Sequence, residues 1–471
     1  MSVEASSADL VRQCLERIAR LDRAGPRYGA VLTLNPEAEN EAERLDALRA
    51  RSGPLGPLHG LPILVKDNID VAGLPTSIGT KALKDWKPER DATVVARLKA
   101  AGAVVLGKTN LHEMALGGIT ASAAGGQTLN PYDPTRTPGG SSGGSGAALA
   151  AEFCFGALGT DTLNSLRSPA SACGIVAIRP THGLLPRTGL APVSPSQDEV
   201  GPMARSVRDA AAMLDAMIGP VDPADPASAL SLGRPQGGYL AGLAGATLEG
   251  ARIGLLSNLV GRNGEQAEIG ALVDAALRVF RAKGATVVAI DDDAFDTDRM
   301  LETLDVHLLE YREAFEAWLE TVRPRPPLAD LRAYAAAKAF DPSIAGPLEK
   351  LLRFARPTDA PDYLERRRRA GALRARVLGL FERHRLDAMV YPLQKCPTVK
   401  IGAGPQRDRS GMLSAATGLP AIDIPAGLTA GPPAVPVGID LLGPPWSERR
   451  LLALAHAAQA ALAISFPPLP V

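Results

Sequence analysis

The stretch from Pro138 to Arg167 constrains this chain more than any other, opening with Pro-Gly-Gly-Ser-Ser-Gly-Gly-Ser-Gly-Ala-Ala-Leu and closing with Gly-Thr-Asp-Thr-Leu-Asn-Ser-Leu-Arg. Gly139, Gly140, Gly143, Gly144 and Gly146 let the backbone take positive φ angles and approach other groups closely, while Ser141, Ser142 and Ser145 supply hydroxyls. The pattern predicts a loop, poor as core material, where main-chain N–H groups and a serine meet a small molecule. Ala147 to Phe155 are small or apolar and predict a tightly packed helix with Ser141 or Ser142 near its positive end. A second turn follows at Gly159-Thr160-Asp161, and Ser165 closes it, so two serine-bearing turns joined by a helix and a short strand can face each other. Gly/Ser clusters also make flexible linkers, but a linker is rarely flanked by apolar segments as this one is.

Three short patterns invite chemistry. In Leu61-Pro62-Ile63-Leu64-Val65-Lys66 an apolar run leads directly into a lysine, as in a buried strand that ends at the edge of the core. Burial would lower the pKa of Lys66 and let it accept a proton; the alternative is that it caps the strand and reaches water. Gly102-Ala103-Val104-Val105-Leu106-Gly107-Lys108-Thr109 fits the phosphate-loop spacing, yet its intervening residues are those of a strand, with a helix before it at Thr93 to Ala101 and none expected after. Gly140-Ser141-Ser142-Gly143-Gly144 fits the G-x-S-x-G elbow, but Pro131, Pro134 and Pro138 exclude the strand an elbow needs. The histidines His59, His112, His182, His307, His384 and His456 stand singly, with no zinc-binding pair and no context for a triad base. If serine chemistry occurs, Lys66 is the best candidate base.

Charge and composition remove whole classes of partner. With 471 residues, a formal net charge of +0 and only 4% aromatic residues, neither nucleic acid nor an anionic membrane is an expected partner. Cys14, Cys154, Cys173 and Cys396 are scattered and read as free, mostly buried thiols of a reducing compartment. No signal-peptide pattern and no run of 18 apolar residues occurs, which gives a cytoplasmic expectation.

The order of elements predicts an α/β fold of one domain over 1–471, a mixed β-sheet flanked by helices. Helices are expected from the capping pattern Ser6-Ser7-Ala8-Asp9 onward, at about 36–51, at 205–218, around Ile269 to Phe280, and at 447–462. Strands are expected at 251–256, 286–290, 387–391, 421–425 and 435–441. The segment at about 219–385 is expected to be mainly helical, and its run Arg366-Arg367-Arg368-Arg369 reads as a solvated helix face.

Gly60 to Asn68, the Pro138 to Ser145 loop, and Gly159-Thr160-Asp161-Thr162 to Ser165 with Arg167 together resemble the amidase signature family. Cys173-Gly174, Arg179-Pro180-Thr181, Asp198 to Arg205 and Thr417-Gly418-Leu419-Pro420-Ala421 extend the resemblance over essentially the whole chain. It implies hydrolysis of a carboxylic amide to acid plus ammonia or amine through an acyl-serine intermediate, with no metal and no organic cofactor. It further implies Ser165 as nucleophile, Ser141 as a bridging serine with a cis peptide, Lys66 as base, and a variable region at about 219–385 that shapes the substrate pocket. The oxyanion would be held by the backbone N–H groups of Thr162, Leu163, Asn164 and Ser165. Asp161 and Arg167 are expected to brace the turn.

One departure stands out: the family's usual pattern has two glycines before the nucleophile, and this chain has Leu163 and Asn164. Cβ atoms restrict φ there, although Asn tolerates the left-handed region better than most residues, so a specificity variant is expected. The expected partner is a small-molecule amide, with a homodimer possible in principle. Alternatives are an amidotransferase subunit that releases ammonia for a partner, a nucleotide-binding protein using 102–109, and a catalytically silent binding homologue.

Overall fold

Alternation along the strands assigns each side chain to a face. Ile63 and Val65 enter one apolar cluster while Leu64 between them enters another, and the same split separates Val105 from Val104 and Leu106, and Leu158 from Ala157. Each such fully buried aliphatic side chain contributes about 1.5–3 kcal/mol relative to exposure. The computed structural model describes residues 5–469, so residues 1–4 and 470–471 of the expected 1–471 domain lie outside the described residues.

The strands are β1 (Val31–Leu34), β2 (Pro62–Lys66), β3 (Val104–Thr109), β4 (Ala121–Ser122), β5 (Gly126–Gln127), β6 (Gly156–Asp161) and β7 (Val176–Arg179). They continue with β8 (Glu199–Ala204), β9 (Arg252–Leu256), β10 (Thr286–Ile290), β11 (Ala388–Pro392), β12 (Ala421–Leu428) and β13 (Pro436–Leu442). Apart from the small β4–β5 hairpin they form one 11-stranded sheet in the order β1-β3-β2-β6-β8-β7-β12-β13-β11-β9-β10. The run β3-β2-β6 is parallel, as is β11-β9-β10, and the strands between them are antiparallel. The fold is therefore the mixed α/β arrangement expected, a single domain on one sheet.

Helices Ser7–Ile18, Gly143–Ala150 and Arg167–Cys173 cover one face. Thr93–Ala100, Val207–Met217, Ala267–Ala282 and Glu448–Leu462 cover the other. The helical segments from Thr297–Leu304 to Tyr363–His384 pack in two further clusters, one against Met389 and Tyr391 of β11 and one against Ile78, Leu83 and Met114. The arginine run lies on Tyr363–His384, where Arg366, Arg368 and Arg369 pair with Asp362 and Glu365 of the same helix.

The Gly/Ser stretch differs from the expected loop. The helix begins at Gly143 and ends at Ala150, and every residue from Gly139 to Ala150 is buried. Glycine here allows a close helix approach: a Cβ on Gly144 would lie 2.2 Å from the carbonyl oxygen of Asn110. The buried hydroxyl of Ser145 is satisfied by Thr109 Oγ1 at 2.7 Å and by the Leu158 carbonyl at 2.9 Å. Residues that look like solvent-loop material are thus core, because their small size and paired hydroxyls suit a helix pressed against a sheet.

Candidate active site

Parallel strands β2 and β6 end side by side, with Val65 opposite Leu158. Crevices at the carboxyl ends of such strands are where ligands of α/β sheets bind. Continuing the alternation, Lys66 falls on the face that carries the Gly143–Ala150 helix, and the chain that leads into that helix brings Ser141 to it. Lys66 Nζ lies 2.8 Å from Ser141 Oγ and 2.7 Å from Thr160 Oγ1, and is fully buried. The Gly140–Ser141 peptide is cis.

Ser165 reaches the same place from the other turn. The Ser142 amide donates to the Ser165 carbonyl at 3.2 Å, which ties the two serine-bearing turns together. Among the described residues the Ser165 hydroxyl takes part in no hydrogen bond, and the residue is half-buried. By contrast the Ser142 hydroxyl is engaged with the backbone of β6, donating to the Thr160 carbonyl at 3.2 Å. Three of the expected positions, Lys66, Ser141 and Ser165, are therefore gathered at one edge of the sheet.

The expected oxyanion turn is Thr162 to Ser165. Among the described residues the amides of Leu163, Asn164 and Ser165 have no acceptor, so they remain available to a ligand. Neither Leu163 nor Asn164 takes a positive φ, so this turn does not require glycine at those positions. The volume that Asn164 adds is offset elsewhere: a Cβ on Gly411 would come within 2.4 Å of the Asn164 Cβ.

The turn is braced from below. Asp161 accepts from Arg167 Nε at 3.1 Å, from Arg179 Nη1 at 2.8 Å and from the Leu166 amide at 3.1 Å. Arg167 also donates to Asp440 at 2.5 Å, and all four charged side chains are fully buried. The two guanidinium groups hold the Asp161 carboxyl below its usual range although burial opposes them. The expected bracing role of Asp161 and Arg167 is what these contacts describe.

Electrostatics single out Lys66. Burial pushes its pKa down to about 7, against the fields of Asp161 and Asp198, which act to raise it. It has no carboxylate within ion-pairing distance among the described residues. His112, whose amide donates to the Ser141 carbonyl at 3.0 Å, is pushed down to about 4 by burial and is a neutral neighbour. Its ring is held by the Ile119 amide and by Ser343, so it is not placed as a base for either serine.

The phosphate-loop pattern resolves differently. Residues 104–109 are strand β3, and Lys108 is buried against Asp67 at 3.2 Å, the Pro75 carbonyl at 2.9 Å and Thr76 Oγ1 at 3.1 Å. The residues before Lys108 are strand and not a loop, and its ammonium is engaged by Asp67, Pro75 and Thr76, so it is not presented to a phosphate. Among the described residues no group of three or more His, Cys, Asp or Glu side chains converges as a metal site, and no helix is long and apolar enough to cross a membrane.

Sequence reasoning missed Thr160 and Asn68 as partners in this network. Asn68 Nδ2 donates to Thr160 Oγ1 at 3.1 Å, so one buried hydroxyl meets both Asn68 and Lys66. Both residues lie inside the stretches that carried the resemblance, and the signal was their place at adjacent strand ends. Arg409, whose Nη1 donates to Asn164 Oδ1 at 2.9 Å, was also missed, and nothing in its local sequence marks it.

Known proteins resemble this chain in sequence and in fold. The Amidase family model matches residues 9–452. A glutamyl-tRNA(Gln) amidotransferase subunit of Thermus thermophilus is 36% identical over 489 aligned positions, covering 98% of this chain and 95% of the relative. Its counterpart in Synechococcus sp. (strain WH7803) is 33% identical, covering 93% and 91%. Among solved structures, the native peptide amidase from Stenotrophomonas maltophilia superposes with a TM-score of 0.90 at 38% identity, covering 99% of this chain and 95% of that one. An amidase family protein from Bacillus anthracis gives 0.84 at 28% identity, covering 98% and 88%.

Proposed function

The chain belongs to the amidase signature family, and from that premise we propose that it hydrolyses a carboxylic amide with Ser165 as nucleophile, Ser141 as proton relay and Lys66 as base. The observation that carries this reading is a fully buried lysine, 2.8 Å from a serine hydroxyl and with no carboxylate partner among the described residues. An amine so desolvated loses its proton near neutrality and can then take one.

In the proposed sequence neutral Lys66 takes the Ser141 proton as Ser141 takes that of Ser165, and Ser165 Oγ bonds to the carbonyl carbon. The carbonyl oxygen, now negative, is held by the free amides of the 162–165 turn. As the C–N bond breaks, the proton returns through Ser141 to the leaving nitrogen, which departs as ammonia or an amine. Water, deprotonated along the same path, then attacks the Ser165 ester, and the proton returns through Ser141 to Ser165 Oγ as the acyl–oxygen bond breaks and the acid leaves. The four buried free thiols support a cytoplasmic setting for this activity.

A serine-reactive fluorophosphonate tests the nucleophile. Labelling should map to Ser165, and Ser165→Ala should abolish both labelling and amide turnover, whereas Ser142→Ala should keep a measurable fraction of each. Labelling at Ser142 would overturn the assignment, and an unlabelled, inactive protein would favour a silent homologue. The amidotransferase relatives support a second reading, in which the chain releases ammonia for partner proteins. Likeness to a peptide amidase supports turnover by the isolated chain. Ammonia release measured without and with added partner proteins separates the two.

A further inference from the structure

Arg409 is a half-buried guanidinium with one hydrogen bond, to Asn164 Oδ1, and no ion pair among the described residues. Five N–H donors and a full charge are far from satisfied by one amide oxygen. Burial pushes its pKa down to about 10 against the field of Asp161, a carboxylate already held by Arg167 and Arg179. A half-buried guanidinium with most of its donors unpaired by protein is poised to take an anionic ligand from the cavity it lines.

Its position is set by the two turns of the site. Asn164, its partner, immediately precedes Ser165. On its other side the guanidinium packs on Gly118, where a Cβ would lie 2.3 Å from Nη1. Gly118 in turn abuts Gly140, the residue before Ser141, whose own Cβ would lie 2.8 Å from the Gly118 carbonyl carbon. His112 feels both Arg409 and Lys66, each acting to lower its pKa. Arg409, Leu163, Asn164 and Met412 line a cavity of about 390 Å3, large enough for a small amide. Asp298 and Asp408 also border it, and neither pairs with Arg409.

We propose that Arg409, steered by the Asn164 that replaces a family glycine, binds a carboxylate on the substrate, so that this enzyme acts on amides bearing a negative charge near the scissile bond. The inference rests on the amidase reading above. A guanidinium–carboxylate pair in a partly desolvated site gives about tenfold to a hundredfold discrimination over a neutral isostere.

The test compares kcat/KM for isosteric pairs: succinamate against succinamide and glutaramate against glutaramide for charge on the acyl side, and butyrylglycine against N-isobutylbutyramide for charge on the amine side. The wild-type protein should prefer the anion in one of these series by at least about tenfold. Arg409→Gln should bring that ratio close to one, Arg409→Lys should retain part of it, and Asn164→Ala should reduce it less than Arg409→Gln does. A ratio near one in the wild-type protein overturns the proposal. So does an Arg409→Gln variant that slows both members of a pair equally, since Arg409 would then only prop the turn. Failure of the amidase reading looks different, as no amide would be hydrolysed and Ser165 would resist labelling. In that event calorimetric titration of glutarate into the Ser165→Ala protein decides: binding should weaken at least about tenfold with Arg409→Gln added, and no binding overturns the proposal.

Discussion

Two lysines one strand apart share their burial and differ in their company. Lys66 ends β2 and Lys108 lies next to the end of β3, the parallel neighbour, with Val65 opposite Lys108 and Lys66 opposite Thr109. Both are fully buried. Lys108 meets the Asp67 carboxylate at 3.2 Å, whereas Lys66, among the described residues, meets only the hydroxyls of Ser141 and Thr160 and, at 3.5 Å, the Thr160 carbonyl. The difference teaches that burial alone does not make a lysine a base. The company decides: Lys108 is locked in an ion pair with Asp67, whereas Lys66 faces hydroxyls through which a proton can pass.

The comparison breaks most visibly at Lys66. Lys66→Ala should lower amide turnover by about 10² to 10⁴-fold, the usual contribution of a positioned proton acceptor. Lys66→Arg should fail as badly, because guanidinium keeps its proton. Urea unfolding should show Lys66→Met at least as stable as the parent near pH 7, since no carboxylate is left alone. An Arg variant with near-native turnover would make Lys66 a structural cation.

Lys108→Met should show the opposite balance. It strands the buried Asp67 carboxylate, for a cost of about 3–5 kcal/mol measured by urea unfolding. Adding Asp67→Asn, which removes the orphaned charge, should recover part of that loss. Turnover per folded molecule should fall far less than in Lys66→Ala, and an equal fall would erase the distinction between the two lysines.

The pH profile sharpens it further. With its pKa depressed from 10.5 to about 7, Lys66 is active in its neutral form, so kcat/KM should rise with pH through an inflection near 7 and then level. The stability sign follows from the same shift. Between about pH 7 and 10.5 the unfolded chain binds a proton at this lysine that the folded chain does not, so its contribution to stability increases with pH across that window. Replacing Lys66 by Met should remove that component of the slope.

The smallest effect belongs to Thr160. Thr160→Val removes a hydroxyl that accepts from Lys66 and so favours its ammonium, which should move the activity inflection down by roughly half a unit to one unit. An upward shift would mean that the hydroxyl instead stabilises the neutral amine.

Much of this was legible before any coordinates. Apolar runs bounded by Gly and Pro marked β2, β9 to β13 and the helices around them, and local patterning suffices there because each element's burial face is written in its own residues. The serine turns and Lys66 were visible because residue types unusual for core or surface stand together. Strand β8 was not, since Gly201 and Pro202 argue against a strand. It forms because β7 pairs only with Met203 and Ala204, which leaves Pro202 with a sheet neighbour on the β6 side alone.

The amino-acid sequence by itself determined the mixed α/β class, the membership in an amide-hydrolysing family, and which serines and lysine to examine. Those follow from residue identity and spacing along one chain. Only the tertiary structure decided that the Gly/Ser stretch is buried and helical from Gly143, that among the described residues Lys108 has a carboxylate and Lys66 has none, and that Arg409 sits beside Asn164, 245 positions away in the chain. Charge compensation and desolvation depend on what lies within a few ångströms, and long-range contacts set that neighbourhood without leaving a local signature.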